Sequence, residues 1–212
     1  MDNALEDYIL RHCSPEDEYL HRLYRATNTR LLRPRMASGH LQGLLLRMMT
    51  RMIRPRTVLE IGTYSGYSAL CMAAGMEAGG TVYTYEINDE QEEFTRPWLE
   101  DSPYAARIEM TVGDVLELLP RTDLRFDMAF IDANKRHYDR YYALVMERLH
   151  TGGYIVADNT LWDGHVTDAA YDRDAQTQGI RRFNDIVAAD DRVEKVILPL
   201  RDGLTIIRKI RD

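Results

Sequence analysis

Lysine is nearly absent from this chain of 212 residues: Lys135, Lys195 and Lys209 are the only three, and the other 24 basic residues are arginines. Arginine almost never gives up its proton, whereas lysine can be tuned to act as a base, so each remaining lysine is worth locating. Cysteine is as scarce. Cys13 and Cys71 stand far apart without CxxC spacing, which excludes a disulfide framework and a cysteine zinc site and makes a reducing cytoplasm the simplest address. No apolar run approaches the ~18 residues needed to span a bilayer. The charged first thirty residues contain no apolar signal-peptide core. Excess basic charge is missing too. Thirty-four acids against 27 bases leave a net charge of −7, which argues against a protein whose main work is gripping phosphate backbones. Repeats, low-complexity tracts and Gly/Ser linkers are absent, so one continuous domain over residues 1–212 is expected.

What is present is an alternation. Residues 1–53 read as a helical cap, with Ser14-Pro15-Glu16 as a helix start. Leu41, Leu44, Leu45, Met48, Met49 and Met52 recur at helical spacing and are expected to form the buried face of a helix. From residue 54 onward, strand-length apolar runs appear at 57–61, 81–87, 107–112, 126–132 and 154–158, most of them leading into helical segments. Such alternation implies an α/β fold, a Rossmann-like core with a parallel sheet between helices. The last two strands, 193–198 and 204–210, are joined only by Pro199–Gly203, too short for a parallel crossover. They should form an antiparallel hairpin, giving one reversed C-terminal strand. The polar stretch from Asp163 to Gln178 reads as a lid near the strand ends.

Strand one ends in Glu60-Ile61-Gly62-Thr63-Tyr64-Ser65-Gly66-Tyr67-Ser68. This G-x-x-x-G turn lacks the middle glycine of the dinucleotide fingerprint, because Tyr64 sits there, and lacks the Gly-Lys-Ser/Thr of a P-loop. It suits a cofactor without a pyrophosphate, or a purely structural turn. Glu86 ends strand two, 20 residues after Gly66. An acid there commonly accepts ribose hydroxyls, although it also reads as a solvated carboxylate before a helix. Together the two features favour an adenosine-containing ligand without separating a nicotinamide cofactor from S-adenosylmethionine (SAM).

Strands four and five end in Ile131-Asp132-Ala133-Asn134-Lys135 and Ala157-Asp158-Asn159. Parallel strands bring their C-terminal ends to one edge, so Asp132, Asp158 and Asn159 are expected within reach of one point. Two carboxylates and an amide oxygen form a hard set suited to Mg²⁺, Mn²⁺ or Ca²⁺. A divalent cation near Lys135 disfavours the charged amine and so favours a general base. Trp162 reads either as an aromatic wall for a planar substrate or as core packing.

On these motifs the sequence resembles the cation-dependent O-methyltransferases, the group containing catechol and caffeoyl-coenzyme A O-methyltransferases, from about Met36 to the C-terminus. The resemblance implies a class I methyltransferase fold with a seven-stranded sheet. It also implies SAM and a divalent cation (Mg²⁺ foremost) as cofactors and a small aromatic substrate with vicinal hydroxyls. By the same resemblance Asp132, Asp158 and Asn159 hold the cation and Lys135 is the catalytic base. Met36, Ser38, Glu60, Gly62, Tyr64, Ser68, Glu86, Ile87, Asp114 and Asp132 line the SAM site. A homodimer is implied as well. Asn134, His40 and Arg136-His137-Tyr138 depart from the family pattern without touching the implied ligands or base. Alternatives are a transfer-RNA 5-hydroxyuridine O-methyltransferase, for which Arg25, Arg30, Arg33 and Arg35 offer a local basic patch, a nicotinamide-dependent oxidoreductase, and a non-catalytic SAM-binding protein.

Overall fold

Apolar runs of strand length and the turns that follow them set the register of the sheet in the computed structural model, which describes residues 3–212. The strands are β1 (Thr57–Ile61), β2 (Thr81–Glu86), β3 (Ile108–Val112), β4 (Phe126–Ile131), β5 (Leu149–Asp158), β6 (Val193–Leu198) and β7 (Leu204–Lys209). Their order is β3-β2-β1-β4-β5-β7-β6. The pairings β2–β3, β1–β4 and β4–β5 are parallel, and β7 runs antiparallel to both β5 and β6. The mostly parallel seven-stranded sheet with one reversed strand is therefore as expected.

The chain divides into two compact units: residues up to Arg56 with Thr63–Gly113, and Thr57–Gly62 with Asp114–Asp212. The first holds helices α1 (Asn3–His12), α2 (Glu18–Arg30), α3 (Gly39–Ile53), α4 (Tyr67–Gly75) and α5 (Glu92–Glu100) with strands β2 and β3. Two expectations change here. Helix α2 starts at Glu18, not at Ser14-Pro15, because Asp17 is the residue that caps it, accepting the Tyr19 N–H at 2.8 Å. Glu16 is engaged elsewhere, accepting the Tyr67 hydroxyl at 2.5 Å and lying 2.9 Å from His21. On α3 the buried face is Gln42, Gly43, Leu46, Met49 and Thr50, while Met48 and Met52 are exposed. Small residues explain the rotation. A side chain at Gly43 would meet Cys71 Sγ at 2.6 Å, and one at Gly75 would meet the Arg47 carbonyl at 2.6 Å. Helices α3 and α4 thus approach backbone to backbone, and that close approach outweighs burying two flexible methionines.

The second unit holds β1, β4, β5, β6 and β7 with helices α6 (Val115–Leu118), α7 (Tyr138–Arg148) and α8 (Ala175–Ala189). Strand β5 begins five residues earlier than its apolar run suggests. Leu149 pairs with Phe126, after which the register shifts until Tyr154 pairs with Met128. The intervening His150–Gly153 forms an irregularity that reads locally as a turn. Lys209 is buried in this unit, donating to the carbonyls of Met146 (3.1 Å) and Leu149 (3.0 Å) and pairing with Asp212. It is a structural lysine rather than a surface one; Lys195 is exposed.

Candidate active site

In the second unit, Ile131 of β4 pairs with Ala157 of β5, so the next residues, Asp132 just past β4 and Asp158 at the end of β5, stand side by side. Adjacent strands lie about 4.8 Å apart, which brings the two carboxylates to one edge. Lys135, on a 3₁₀ turn begun by the Asn134 cap, reaches back to Asp132 Oδ1 at 2.6 Å. Its side chain is 10% exposed and that of Asp132 18%. The ammonium also sits 5.4 Å from the Tyr138 ring centre and 5.9 Å from that of Trp162. Lys135 is therefore enclosed by one carboxylate and two aromatic faces, an arrangement that holds an ammonium without fully hydrating it.

The sequence marks Tyr138 only as the end of Arg136-His137-Tyr138, without a role at the site. Its buried hydroxyl donates to the Asp158 carbonyl (3.0 Å) and lies 3.3 Å from that of Ile131, tying together the ends of β4 and β5. Burial first, then the nearby charges of Asp132 and Asp158, push this phenol well above its ordinary pKa, so it stays a neutral donor.

Asp158 is buried and accepts the Asn159 N–H at 2.8 Å. Asn159 adopts a left-handed backbone (φ 57°), and its amide Nδ2 donates to Asp202 Oδ2 at 3.3 Å. Burial, and then a hydrogen bond and like charge from Asp163, raise the Asp202 carboxyl above the usual carboxylate range; Arg201 and Asn159 oppose this. Among the described residues no three His, Cys, Asp or Glu side chains form a metal cage. The set that fits a cation is two carboxylates and one amide, all oxygen donors of the kind Mg²⁺ takes.

Trp162 (φ 47°) follows on a strained turn, and the segment expected as a lid is ordered into 3₁₀ turns over Trp162–Thr167 and Ala169–Tyr171. One arginine holds it: Arg181 of α8 donates to the carbonyls of Val166, His165 and Asp168 and pairs with Asp172. Helix α8 already begins at Ala175, so the irregular stretch is shorter than its composition suggests. Gly179 of α8 lies against the 3₁₀ turn that carries Lys135. A Cβ there would stand 2.2 Å from the Lys135 carbonyl oxygen. Also in this unit, Glu60 is fully buried on β1, and Asp114 caps α6 by accepting the Leu116 N–H at 2.9 Å. Gly62 turns with φ +101° only 2.0 Å, measured from an added Cβ, from the Asp132 carbonyl. No other residue fits that turn.

The first unit carries the remaining expected residues. Glu86, at the end of β2, is fixed by two backbone donors: Tyr64 N–H to Oε2 at 2.8 Å and Asn88 N–H to Oε1 at 2.9 Å. A carboxylate oxygen accepts more than one donor, so a preset Glu86 can still take hydroxyls. Tyr64 stands in the left-handed conformation (φ 47°) that a glycine would adopt readily. The cost, about 1–2 kcal/mol, is offset by its N–H bond to Glu86 and its hydroxyl bond to the Arg33 carbonyl at 2.8 Å. Ser68 on α4 and Ser38 before α3 are buried; Ile87 and Met36 are exposed. Exposed apolar side chains at these two points are free to cover an apolar ring.

Comparison with known proteins agrees with this fold. The O-methyltransferase family matches residues 11–210. Caffeoyl-CoA O-methyltransferase of Mesembryanthemum crystallinum is 34% identical over 184 residues, 80% of this chain and 71% of that protein. Tricin synthase 1 of Oryza sativa subsp. japonica is 32% identical over 189 residues, 82% of this chain and 75% of that one. Among solved structures, the O-methyltransferase TomG from Streptomyces achromogenes in complex with SAM superposes with a TM-score of 0.90 at 30% identity, covering 98% of this chain and 96% of that chain. The SAH-bound O-methyltransferase from Bacillus cereus gives 0.89 at 28% identity, with 97% of each chain covered.

Proposed function

Since the chain belongs to the O-methyltransferase family, we propose that it is a SAM-dependent enzyme that methylates one hydroxyl of a catechol-like or vicinal-diol aromatic substrate with the help of a divalent cation. The observation that carries this reading is the buried Lys135–Asp132 contact of 2.6 Å at the strand edge where Asp158 and Asn159 also emerge. A structural ion pair does not need that edge or those neighbours.

Asp132, Asp158 and Asn159 would hold the cation, with Mg²⁺ the best match to their oxygen donors. Glu86 would take the ribose hydroxyls of SAM. Met36, Ser38, Glu60, Gly62, Tyr64, Ser68, Ile87, Asp114 and Asp132 would line the rest of the cofactor. When bound, SAM supplies an electrophilic sulfonium methyl, and the cation supplies Lewis acidity toward a chelating hydroxyl. Lys135, in its neutral amine form, would take the proton of the acceptor hydroxyl onto Nζ, leaving the oxyanion that methyl transfer from SAM requires. The rings of Tyr138 and Trp162 receive the resulting ammonium. Trp162 would also give a planar substrate an aromatic wall.

A methyl-transfer assay against a panel of catechols and unmodified transfer RNA, with Mg²⁺ and with EDTA, tests the reading. Catechol methylation that EDTA abolishes and Mg²⁺ restores is expected. Full activity in EDTA, or in a Lys135→Ala variant, would sink it.

A further inference from the structure

An asparagine amide can ligate a cation only through its oxygen; turned by half a rotation it presents two N–H donors, which repel one. Something must therefore fix which end of Asn159 faces the strand edge. Asp202, in the turn between β6 and β7, is placed to do so. Its Oδ2 lies 3.3 Å from Asn159 Nδ2 and accepts that amide N–H.

The turn is locked to the Asp158-Asn159 loop by backbone as well. The Asp202 carbonyl accepts the N–H groups of Leu161 (2.7 Å) and Trp162 (3.0 Å), and the Gly203 carbonyl accepts that of Thr160 at 3.1 Å. Gly203 is pressed so closely on Leu161 that a Cβ would fall 2.5 Å from its Cγ. The carboxylate thus approaches Asn159 from a fixed base. We propose that Asp202 is a positioning residue for the cation site: it holds the Asn159 amide with Oδ1 toward Asp132 and Asp158 and, by drawing on Nδ2–H, makes Oδ1 a better ligand. Outer partners of this kind typically contribute about 10–100-fold in metal affinity.

The inference rests on the cation site proposed above, and its test separates the two. Mn²⁺ is titrated into the full-length chain, and the loss of the free-ion electron paramagnetic resonance signal gives the affinity. Asp202→Ala is expected to weaken Mn²⁺ by about 10–100-fold, while Asp202→Asn, which keeps an acceptor oxygen, stays within about threefold. If Asp202→Ala does not fold, Asp202→Ser carries the test, because its hydroxyl is too short to reach Asn159. In an Asn159→Asp background there is no amide to orient, so removing Asp202 should cause no loss. A merely structural role for Asp202 would give the same loss in both backgrounds and would overturn the proposal, as would an Asp202→Ala affinity within twofold of the parent. Asp158→Ala is the control for the site itself. If it leaves Mn²⁺ affinity unchanged, the cation site fails and the positioning role with it. If it abolishes binding while Asp202→Ala does not weaken it, only the positioning role fails.

Discussion

Replacing Gly179 by alanine sets two effects of opposite sign against each other. Gly179 lies inside α8, and in a helix interior alanine is favoured over glycine by about 1 kcal/mol. Helix propensity alone therefore forecasts a more stable protein. Packing forecasts the reverse. The added Cβ would lie 2.2 Å from the Lys135 carbonyl oxygen and 2.8 Å from the Arg136 Cα, both backbone atoms with no rotamer to yield. Restoring ordinary contact requires α8 and the Lys135 turn to separate by about 1 Å, and overpacking of this kind costs roughly 1–3 kcal/mol. The clash should match or exceed the propensity gain, for a net loss of up to about 2 kcal/mol and a Tm lower by up to roughly 8 °C. Activity should suffer more than stability, because a displacement of about 1 Å at the proposed base, Lys135, can lower the rate by about 10²-fold. Thermal unfolding and steady-state methyl transfer are measured together, with Gly152→Ala as reference. Gly152 (φ +91°) has nothing within 4 Å of an added Cβ, so that variant should lose some stability through backbone strain yet keep its kcat. A Gly179→Ala protein that melts higher than the parent with unchanged kcat would refute the reasoning.

Other outcomes follow from the same geometry. Lys135→Ala should lower kcat by about 10²–10⁴-fold, and Lys135→Arg should not restore it, because a guanidinium keeps its proton; titration calorimetry with SAM should show the cofactor still bound. Lys209→Met strands the carbonyls of Met146 and Leu149 in the interior, so urea unfolding should show a loss of about 2–3 kcal/mol, against less than about 0.5 kcal/mol for exposed Lys195→Met. Asp190 is held well below the usual carboxylate range, mainly by the Arg192 guanidinium, with the Arg192 N–H and the Tyr142 hydroxyl also bonded to it. A depressed carboxyl contributes stability that is fully present above its unfolded pKa of about 3.9 and fades as pH falls toward the folded value. Asp190→Ala should accordingly cost about 1–2 kcal/mol at pH 7, and its gap to the parent should narrow below pH 4; a gap that widens there would contradict the sign.

The sequence by itself determined the strands, their alternation with helices, the reversed end of the sheet and the kinds of residue at the strand ends. Those features rest on local causes: a side-chain period, a glycine where the chain must turn, and a five-residue join too short for a crossover. Placement of Asp132 beside Asp158 was legible for the same reason, since parallel strands deliver their C-terminal ends to one edge. Only the tertiary structure decided what depends on partners distant in the chain. Gly43 and Gly75 turned α3 onto its small face, although its methionines have helical spacing. The Met146 and Leu149 carbonyls drew Lys209 into the interior. Gly179 let α8 press on the turn of Lys135, and Asp202 met Asn159 across 43 positions. A single sequence records each of these residues but not its neighbour, because burial and hydrogen bonding are settled only when the elements pack. Of the three lysines, one ended buried as a structural donor and one lies on the surface. The third lies enclosed against Asp132 at the strand edge.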